Sequence, residues 1–382
     1  MKIKKNFRVG LDATCITDRP SGAKQRFIGL YSELVSKMQF VDFIIFEPSD
    51  SNLKFLKYFK KYRNVSFIKT PIKSKNSKIN ILKSFFYWRN KTKSLNLDIL
   101  ESFRLPFFNN YYSKSILTIH DLRFLYWQFS GYKKFFNYLY CKFFLTNVDH
   151  FIAVSKTTKN QLISLLGNRN ITVVENGIDI KDFKKIKKYS ENELKKKYNI
   201  DSEFIFTVGH FENRKNFLNL ILSMKNINNR KIKLIIAGNA SSKEEIRLKE
   251  KLQNTIYENK LNYRVMLLSN LGDEEIKSLY SMSKLFVFPS VYEGFGIPIL
   301  EAMAFNKKMV LSNIEPFREI IKYDKRYFFD PENIKDISKK IKMNLNNTNI
   351  KRNKYSLSLK SYKYKILASK IYKLYINLIQ KK

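Results

Sequence analysis

Residues 285–301 of this chain read LFVFPSVYEGFGIPILE, and this stretch decides the fold class. It begins with an apolar run, Leu285–Phe288, whose length predicts a buried strand. Two glycines then form a loop around Phe295, and Pro298 follows at a position typical of the first turn of a helix. A strand, a glycine loop and a helix N-terminus in this order predict an α/β unit. In such a unit, backbone N–H groups and the helix dipole favour a bound anion.

Two carboxylates flank this loop, Glu293 and Glu301, and they stand eight positions apart. A carboxylate beside a phosphate would repel it, unless the carboxylate binds hydroxyl groups instead. A ligand that carries both phosphates and many hydroxyls, such as a nucleotide sugar, meets both conditions. The alternative is an ordinary joint between a strand and a helix, with one glutamate on the surface and one in the helix.

A second segment repeats the pattern about 80 residues earlier. The β-rich run Phe204–Gly209 ends in glycine, and Arg214, Lys215 and Asn216 follow it before apolar residues at helical spacing. Two adjacent cations at such a turn would stabilise the charge that grows on a departing diphosphate. The alternative is a solvated pair of cations, which is common in a chain this basic.

Together the two segments resemble the motifs of the retaining glycosyltransferases of GT-B family 4, also called glycosyl transferases group 1. The resemblance implies that Glu293 contacts the donor sugar, that Glu301 contacts the ribose, and that Arg214 and Lys215 bind the diphosphate. The full set of donor-binding residues implied in this way is Gly22, Gly209, Arg214, Lys215, Glu293, Gly294, Phe295, Gly296, Ile297 and Glu301.

The resemblance also implies a mechanism. The acceptor hydroxyl attacks from the side on which the leaving group departs, and the leaving phosphate takes the proton, so no nucleophile is assigned to Glu293. The catalytic residues expected on this basis are His120, Arg214, Lys215 and Glu293. No metal or other cofactor is expected, because the two cations and the helix N-terminus after Gly296 hold the diphosphate.

The first half of the chain carries weaker matches. Gly22 stands in a loop that resembles the family's glycine loop facing the donor phosphates, but Lys24–Phe27 departs from the family pattern there. Leu117–Leu122 resembles the family's strand that ends in His-Asp, and the family places this histidine, here His120, beside the donor sugar. A lone histidine in a core is the simpler alternative.

Length and pattern predict two domains of the α/β class. The chain has 382 residues, and short β-runs alternate with helical patterns throughout. The expected architecture is GT-B, with two Rossmann-like parallel-sheet domains facing a central cleft. We predict an N-terminal acceptor domain over 1–180, a linker over 181–202 and a C-terminal donor domain over 203–359, with a helix in 360–382 that packs back on the first domain.

Composition bounds the cellular setting. The chain has two cysteines, which excludes a disulfide scaffold and favours a reducing compartment. We see no apolar run long enough for a signal peptide or for crossing a bilayer. The expected location is cytoplasmic, with a peripheral position on the inner face of the cytoplasmic membrane as a further possibility.

The net charge is +39, which has two interpretations. It can be compositional, with scattered and solvated lysines, or it can mark a surface for anionic lipid or an anionic carrier. Lysines alternate with aromatic residues in Lys54–Arg63 and in Leu122–Leu145, which would suit an acceptor carried on a lipid diphosphate. For Leu122–Leu145 the simpler interpretation is a pair of core helices.

These observations predict a transferase that moves a mannose-type or similar hexose from a GDP-sugar or UDP-sugar to a hydroxyl of a glycan or lipid-linked glycan. The family's usual setting is bacterial surface polysaccharide or lipopolysaccharide synthesis. A nucleotide-sugar epimerase of the same fold is one alternative, and a non-catalytic relative is another. A basic nucleic-acid-binding protein is a third, but no recognisable nucleic-acid module is present and we expect no specific nucleic acid partner.

Overall fold

The computed structural model describes residues 7–18, 21–50, 52–74, 78–105, 112–127, 130–180, 183, 191–321, 324–346 and 356–380. The chain divides into two compact units, one formed by 1–177 with 361–382 and the other by 178–360. Each unit has its own parallel sheet. The prediction of an α/β protein with two parallel-sheet domains is therefore confirmed.

The elements alternate along the chain as expected for such domains. The strands are β1 (Phe7–Asp12), β2 (Val41–Glu47), β3 (Val65–Lys69), β4 (Ile99–Ser102), β5 (Lys114–Ile119), β6 (His150–Ala153), β7 (Ile171–Val173), β8 (Phe204–Val208), β9 (Lys233–Ala237), β10 (Val265–Leu268), β11 (Leu285–Phe288), β12 (Met309–Ser312) and β13 (Phe328–Phe329). The helices of the first unit before its C-terminal segment are α1 (Gly22–Lys37), α2 (Lys78–Ser94), α3 (Arg123–Tyr126), α4 (Gly131–Leu145) and α5 (Lys156–Leu166). The α-helices with described bounds in the rest of the chain are α6 (Glu191–Tyr198), α7 (Phe217–Ser223), α8 (Lys243–Glu258), α9 (Asp273–Met282), α10 (Ile297–Ala304), α11 (Glu315–Ile320), α12 (Ile334–Asn346), α13 (Ser356–Ser361) and α14 (Tyr364–Gln380).

The first sheet has seven strands in the order β3-β2-β1-β4-β5-β6-β7, and neighbouring strands run parallel. Its strands are apolar on both faces because helices cover both, as is usual for parallel sheets. One apolar cluster joins one face of the sheet to α1 and α14. A second cluster joins the other face to residues of α2, α3, α4 and α5.

The helices α3 and α4 correct one interpretation of the sequence. Among the residues of Leu122–Leu145 that the structure describes, the buried side chains are Leu122, Leu125, Cys141 and Leu145. All the aromatic residues of α4 are half-buried or exposed. The interpretation of this segment as a pair of core helices is wrong for most of its surface, because α4 contributes only one narrow edge to the core.

The C-terminal helix belongs to the first unit, where α14 packs along α1. Its residues Leu367, Ile371 and Leu374 are buried at the spacing of one helical face. Close packing at its start depends on glycine, because a Cβ at Gly29 would lie 2.2 Å from the ring of Tyr364. Gly29 therefore allows α14 to pack close to α1.

The second unit is built on a six-stranded sheet in the order β10-β9-β8-β11-β12-β13, again parallel. The strands β8 and β11 lie side by side at its centre, so the carboxyl ends of both meet at one edge. Its α8 begins with a capping box between Ser242 and Glu245, which explains why the helix starts there. The loops that follow β8 and β11, which contain Arg214, Lys215 and Glu293, begin at this carboxyl edge of the sheet.

The region predicted as a linker, 181–202, lies partly outside the described residues. Its described part includes α6, which belongs to the second unit and is tied to it by hydrogen bonds from Lys197 and Tyr198 to Glu275. The division between units falls after Gly177 rather than at residue 180. Across the described part of the chain, no helix is both long and apolar enough to cross a lipid bilayer.

Candidate active site

Sheet register explains how two segments far apart in sequence meet. Phe206 of β8 stands beside Phe286 of β11, so the loops that follow these strands leave the sheet together. The backbone N–H of Val291 donates to the carbonyl of Arg214 at 2.8 Å, which joins the two loops directly. Ligands of open α/β sheets bind at this carboxyl edge.

Glu293 lies between the two predicted cations. Lys215 Nζ is 2.6 Å from Glu293 Oε1, and Arg214 Nη1 is 2.7 Å from Glu293 Oε2. These three side chains are only 9–13% exposed. Ser290 Oγ donates to Glu293 Oε1 at 2.9 Å, and Glu212 pairs with the Nε of Arg214. The interpretation of Arg214 and Lys215 as solvated cations is therefore wrong.

The electrostatics of this cluster keep Glu293 ionised. Burial alone would raise the pKa of its carboxyl, but the charges of Lys215 and Arg214 outweigh burial and lower the pKa to about 2. A carboxylate with so low a pKa is a weak base. Glu293 is suited to accepting hydrogen bonds, and it is not suited to removing a proton.

Local backbone geometry sets the position of Lys215. Asn216, the next residue, has a left-handed backbone with φ of 55°, which asparagine tolerates better than most residues. Its side chain donates to the carbonyl of Pro331 at 2.7 Å, which holds the turn. The Lys215 stem lies over Gly209, whose missing side chain leaves space for it, and Nζ lies 5.0 Å from the ring centre of Phe288.

The glycine loop after β11 leads directly into α10. Gly296 has φ of 136°, and a Cβ there would lie 3.1 Å from both Ile299 and Phe317. Glycine is therefore required at this position on two grounds, backbone conformation and space. Gly294 and Phe295, which precede it in the loop, are both buried. Ile297 begins the helix, so the predicted strand, loop and helix are all present.

Glu301 lies in α10 one turn beyond the loop. Tyr280 Oη donates to Glu301 Oε2 at 2.9 Å and also lies 3.3 Å from the carbonyl of Pro298. Burial and the nearby carboxylate of Glu301 raise the pKa of Tyr280 well above its usual value, so the phenol stays protonated as a donor. The carboxylate of Glu301 is thus held in one orientation by a neighbour on α9.

In the first unit, Gly22 is the first residue of α1, and Ser21 caps the helix by accepting from the N–H of Lys24 at 3.2 Å. The departure from the family pattern at Lys24–Phe27 has a structural explanation. Arg26 is buried, and its Nη1 donates to the carbonyls of Val174 and Glu175 at 2.9 and 2.6 Å. Arg26 therefore ties α1 to the segment that ends the first sheet.

His120 follows the last residue of β5 at the carboxyl edge of the first sheet, as the sequence predicts. Burial, together with the positive charge of Arg26, lowers the pKa of its imidazole to about 3. The ring is therefore neutral at physiological pH, so one of its nitrogens donates a hydrogen bond and the other accepts one. Gly22 and His120 belong to one unit, and the other predicted site residues belong to the second.

Sequence reasoning missed three side chains that complete the second unit's site: Ser290, Glu212 and Tyr280. Ser290 follows Pro289, the residue directly after β11, and a polar side chain at the end of a central strand is a position from which a site residue can be predicted. Nothing in the sequence marks Tyr280, because its contact with Glu301 depends on the packing of α9 against α10. Within the described ranges, no group of three or more histidine, cysteine or acidic residues is arranged to hold a metal ion.

Comparison with solved structures identifies the class of fold. A glycosyltransferase from Rickettsia africae superposes with a TM-score of 0.75 over 99% of this chain and all of that one, at 18% identity. Anabaena HepE, solved in complex with UDP and glucose, gives a TM-score of 0.72 over 97% of this chain and all of its own, at 15% identity. At these identities the likeness shows the fold, which is the GT-B fold of glycosyltransferases.

Sequence profiles then give the family. A profile described as "Glycosyltransferase Family 4" matches residues 20–182, and one described as "Glycosyl transferases group 1" matches residues 190–362. The chain belongs to this family of GT-B glycosyltransferases. A curated relative, the O-antigen chain mannosyltransferase RfbU of Salmonella typhimurium, is 28% identical over 207 residues. That match covers 54% of this chain and 54% of the relative, so it spans about half the length of each.

Proposed function

We propose that this protein transfers a hexose from a nucleoside diphosphate sugar to a hydroxyl group of a glycan or lipid-linked glycan, with retention of configuration at the anomeric carbon. The observation that carries this proposal is the buried arrangement of Arg214, Lys215 and Glu293 beside the first turn of α10. It places two cations, a carboxylate and a helix N-terminus within one small region, and a donor with phosphates and hydroxyls needs all of these.

The charges of the cluster indicate how the donor would bind. Arg214 and Lys215 are balanced by Glu293 and Glu212, so the region is close to neutral before a ligand arrives. An incoming diphosphate competes with Glu293 for the cations. Once displaced, the Glu293 carboxylate turns to the sugar hydroxyls, while Glu301, oriented by Tyr280, accepts hydrogen bonds from the ribose.

The transfer step forms one bond and breaks one. The bond between the anomeric carbon and the acceptor oxygen forms as the bond to the phosphate oxygen breaks, and the acceptor proton passes to the departing phosphate. Arg214 and Lys215 stabilise the charge that grows on the diphosphate. Glu293 takes no proton in this scheme, in agreement with its pKa of about 2. Neutral His120 would contact the donor sugar, and no metal is required.

Similar proteins make two classes of sugar donor the leading candidates. RfbU is described as a mannosyltransferase of the O-antigen chain, which favours a GDP-linked mannose-type sugar. HepE was solved with UDP and glucose, which keeps a UDP-sugar in consideration. We further propose a role in bacterial surface polysaccharide or lipopolysaccharide synthesis, on the cytoplasmic side of the membrane. The charge of +39 supports contact with an anionic lipid surface or lipid-linked acceptor.

Thermal stabilisation by candidate ligands tests the donor site. The full chain is heated with GDP, UDP and their sugar conjugates, without metal and at moderate salt, because a ligand that binds only the folded state raises Tm. We expect selective stabilisation by one nucleotide, with loss of that shift in Glu301→Ala and retention in Glu258→Gln. Glu258 is exposed at the end of α8 and serves as the matched control.

Two results would overturn the proposal. The first is no shift with any nucleotide beside strong, salt-resistant stabilisation by nucleic acid. The second is donor consumption that yields an isomerised nucleotide sugar rather than free nucleoside diphosphate, which would indicate an epimerase. Release of nucleoside diphosphate with transfer of label to a glycan acceptor is the expected result.

A further inference from the structure

The outer surface of α4 exposes an unusual amount of aromatic side chain. Tyr132, Phe135, Phe136 and Phe143 are 70%, 59%, 65% and 75% exposed, and only Cys141 and Leu145 of this helix are buried. Contiguous exposed apolar surface on a folded domain usually marks a binding surface, because exposing it to water has a free-energy cost. In the described part of the second unit, by contrast, two aromatic side chains are exposed, Tyr257 and Tyr263.

The charge around these rings has one sign. No aspartate or glutamate occurs between Asp121 and Asp149, whereas α4 carries Lys133, Lys134 and Lys142. Lys133 Nζ lies 6.0 Å from the ring centre of Tyr132, so cation and ring share one surface. This surface is therefore both apolar and positively charged.

A second feature with the same chemistry lies on α2. Its outer side forms an open groove of about 580 Å³, lined by Pro71, Leu82, Lys83, Phe86, Tyr87 and Lys91 among others. Leu82 and Phe86 are 63% and 61% exposed. No acidic residue occurs anywhere in 51–97. Because α2 and α4 pack on the same apolar cluster, both cover the same face of the first sheet.

Charge decides which partner fits. A second copy of this chain would bring lysines against lysines, which is unfavourable. An anionic bilayer suits both features, because lipid phosphates pair with lysines while aromatic rings enter the interface between headgroups and acyl chains. The groove of α2 adds an apolar recess in which part of a lipid chain can lie.

We propose that the outer sides of α2 and α4 form the surface by which this protein docks on an anionic lipid bilayer, with the rings of α4 inserted at the interface. The inference rests on the proposed function only for its purpose, which is to bring the enzyme to a lipid-linked acceptor. It identifies the partner as an anionic bilayer and the contacting residues as those of α2 and α4, none of which belongs to the donor site.

An intrinsic reporter makes the proposal testable. The chain has two tryptophans, of which Trp88 is buried and Trp127, next to α3, is 42% exposed. The full chain is mixed with vesicles of phosphatidylglycerol and phosphatidylethanolamine, and with vesicles of phosphatidylcholine alone. We expect co-sedimentation with the anionic vesicles only, a blue shift of Trp127 emission and quenching by lipids brominated on the acyl chain. Trp127→Phe should remove the spectral change.

Matched variants distinguish insertion of the α4 rings into the bilayer from a general electrostatic attraction of the protein to anionic vesicles. Phe136→Ser with Phe143→Ser should weaken vesicle binding about tenfold or more, because two inserted rings are lost. Tyr257→Ser with Tyr263→Ser removes two rings of the second unit that are, as a pair, at least as exposed, and it should leave binding unchanged. Changing Lys133, Lys134 and Lys142 to glutamine should weaken binding to anionic vesicles most at low salt.

Several outcomes would overturn the docking surface. The first is equal vesicle binding by the Phe136/Phe143 and Tyr257/Tyr263 double variants. The second is vesicle binding by the wild type without quenching by brominated acyl chains. The third is a wild-type protein that does not bind vesicles and is a dimer, with the Phe136/Phe143 variant a monomer. Nucleotide stabilisation of Tm is measured on the same variants. If it persists while vesicle binding is absent, the docking surface fails and the donor site stands. If nucleotide stabilisation is absent while vesicle binding persists, the donor site fails and the docking surface stands.

Discussion

The charged residues predicted for the site of the second unit each have a side-chain partner that limits what they can do. Glu293 contacts Arg214 and Lys215, and Glu301 accepts from Tyr280. The sequence predicted the identity of these residues because their types and spacing follow strand ends. It did not predict that the cations pair with Glu293, because that pairing depends on β8 and β11 being neighbours in space.

The pairing makes a prediction about pH. Glu293 has an ordinary pKa of 4.5 and a folded-state pKa of about 2, so its ionised form stabilises the fold. That contribution, about 3 kcal/mol near neutral pH, is fully present above about pH 4.5 and is lost as pH falls toward about 2. Glu293→Gln should therefore be less stable than wild type near neutral pH, and the difference should shrink in acid.

Urea unfolding followed by circular dichroism at several pH values measures this difference. The exposed Glu258→Gln change removes a carboxylate from the same unit without ion-pair loss, and it should show no such trend. A difference between Glu293→Gln and wild type that stays constant from neutral pH down to about pH 3 would show that the ion pairs contribute little.

Tyr280 provides a second prediction at this scale. Tyr280→Phe keeps the ring but removes the hydrogen bond to Glu301, which should weaken nucleotide binding about three- to tenfold. If Glu301 binds ribose, the loss should disappear with a dideoxyribose nucleotide, which lacks the hydroxyls in question. Isothermal titration with both nucleotides measures the effect. An equal loss with the two ligands would assign Tyr280 a purely structural role.

At the scale of elements, the predicted strand, glycine loop and helix are all present, because local sequence dictates each of them. Short apolar runs predicted β8 and β11, and Gly296 with Pro298 predicted the start of α10. The error at α4 has an equally physical cause. Helical spacing shows which residues share a face, but periodicity alone does not show whether that face meets the core or the solvent.

Gly296 allows a test of how strictly the loop fixes α10. Gly296→Ala places a Cβ 3.1 Å from Ile299 and Phe317 at a backbone φ of 136°, so it should destabilise the protein by about 1–3 kcal/mol and impair nucleotide binding. Gly272→Ala is the control, since φ there is −72° and the new Cβ would lie 3.6 Å from a flexible carboxylate. Thermal unfolding with and without nucleotide compares the two. Equal behaviour would contradict the requirement for glycine.

At the scale of the whole molecule, the chain returns to its first unit at the C-terminus. Fully buried Glu101 of β4 accepts hydrogen bonds from Tyr31 of α1, Thr118 of β5 and Tyr375 of α14. Burial raises the pKa of Glu101, and these donors oppose that effect. The helical periodicity of 364–379 indicated an amphipathic helix, but a buried tyrosine–carboxylate contact has no periodic signal.

This contact predicts that damage to the C-terminal helix is confined to one unit. Tyr375→Phe leaves one hydrogen-bond position of buried Glu101 unfilled, which should cost about 1–3 kcal/mol of stability. Both tryptophans, Trp88 and Trp127, lie in the first unit, so their fluorescence during urea unfolding reports that unit. Its midpoint should fall, while nucleotide affinity at Arg214 should stay within about twofold of wild type.

Tyr372→Phe provides the matched control on the same helix. The ring of Tyr372 lies 4.9 Å from Lys37 Nζ and remains after the change, so the tryptophan midpoint should move little. A midpoint that falls equally in both variants would show that any hydroxyl on this face of α14 has the same effect. Nucleotide affinity that falls in parallel with the midpoint of Tyr375→Phe would show instead that the two units are energetically coupled, because the altered side chain and the nucleotide site belong to different units.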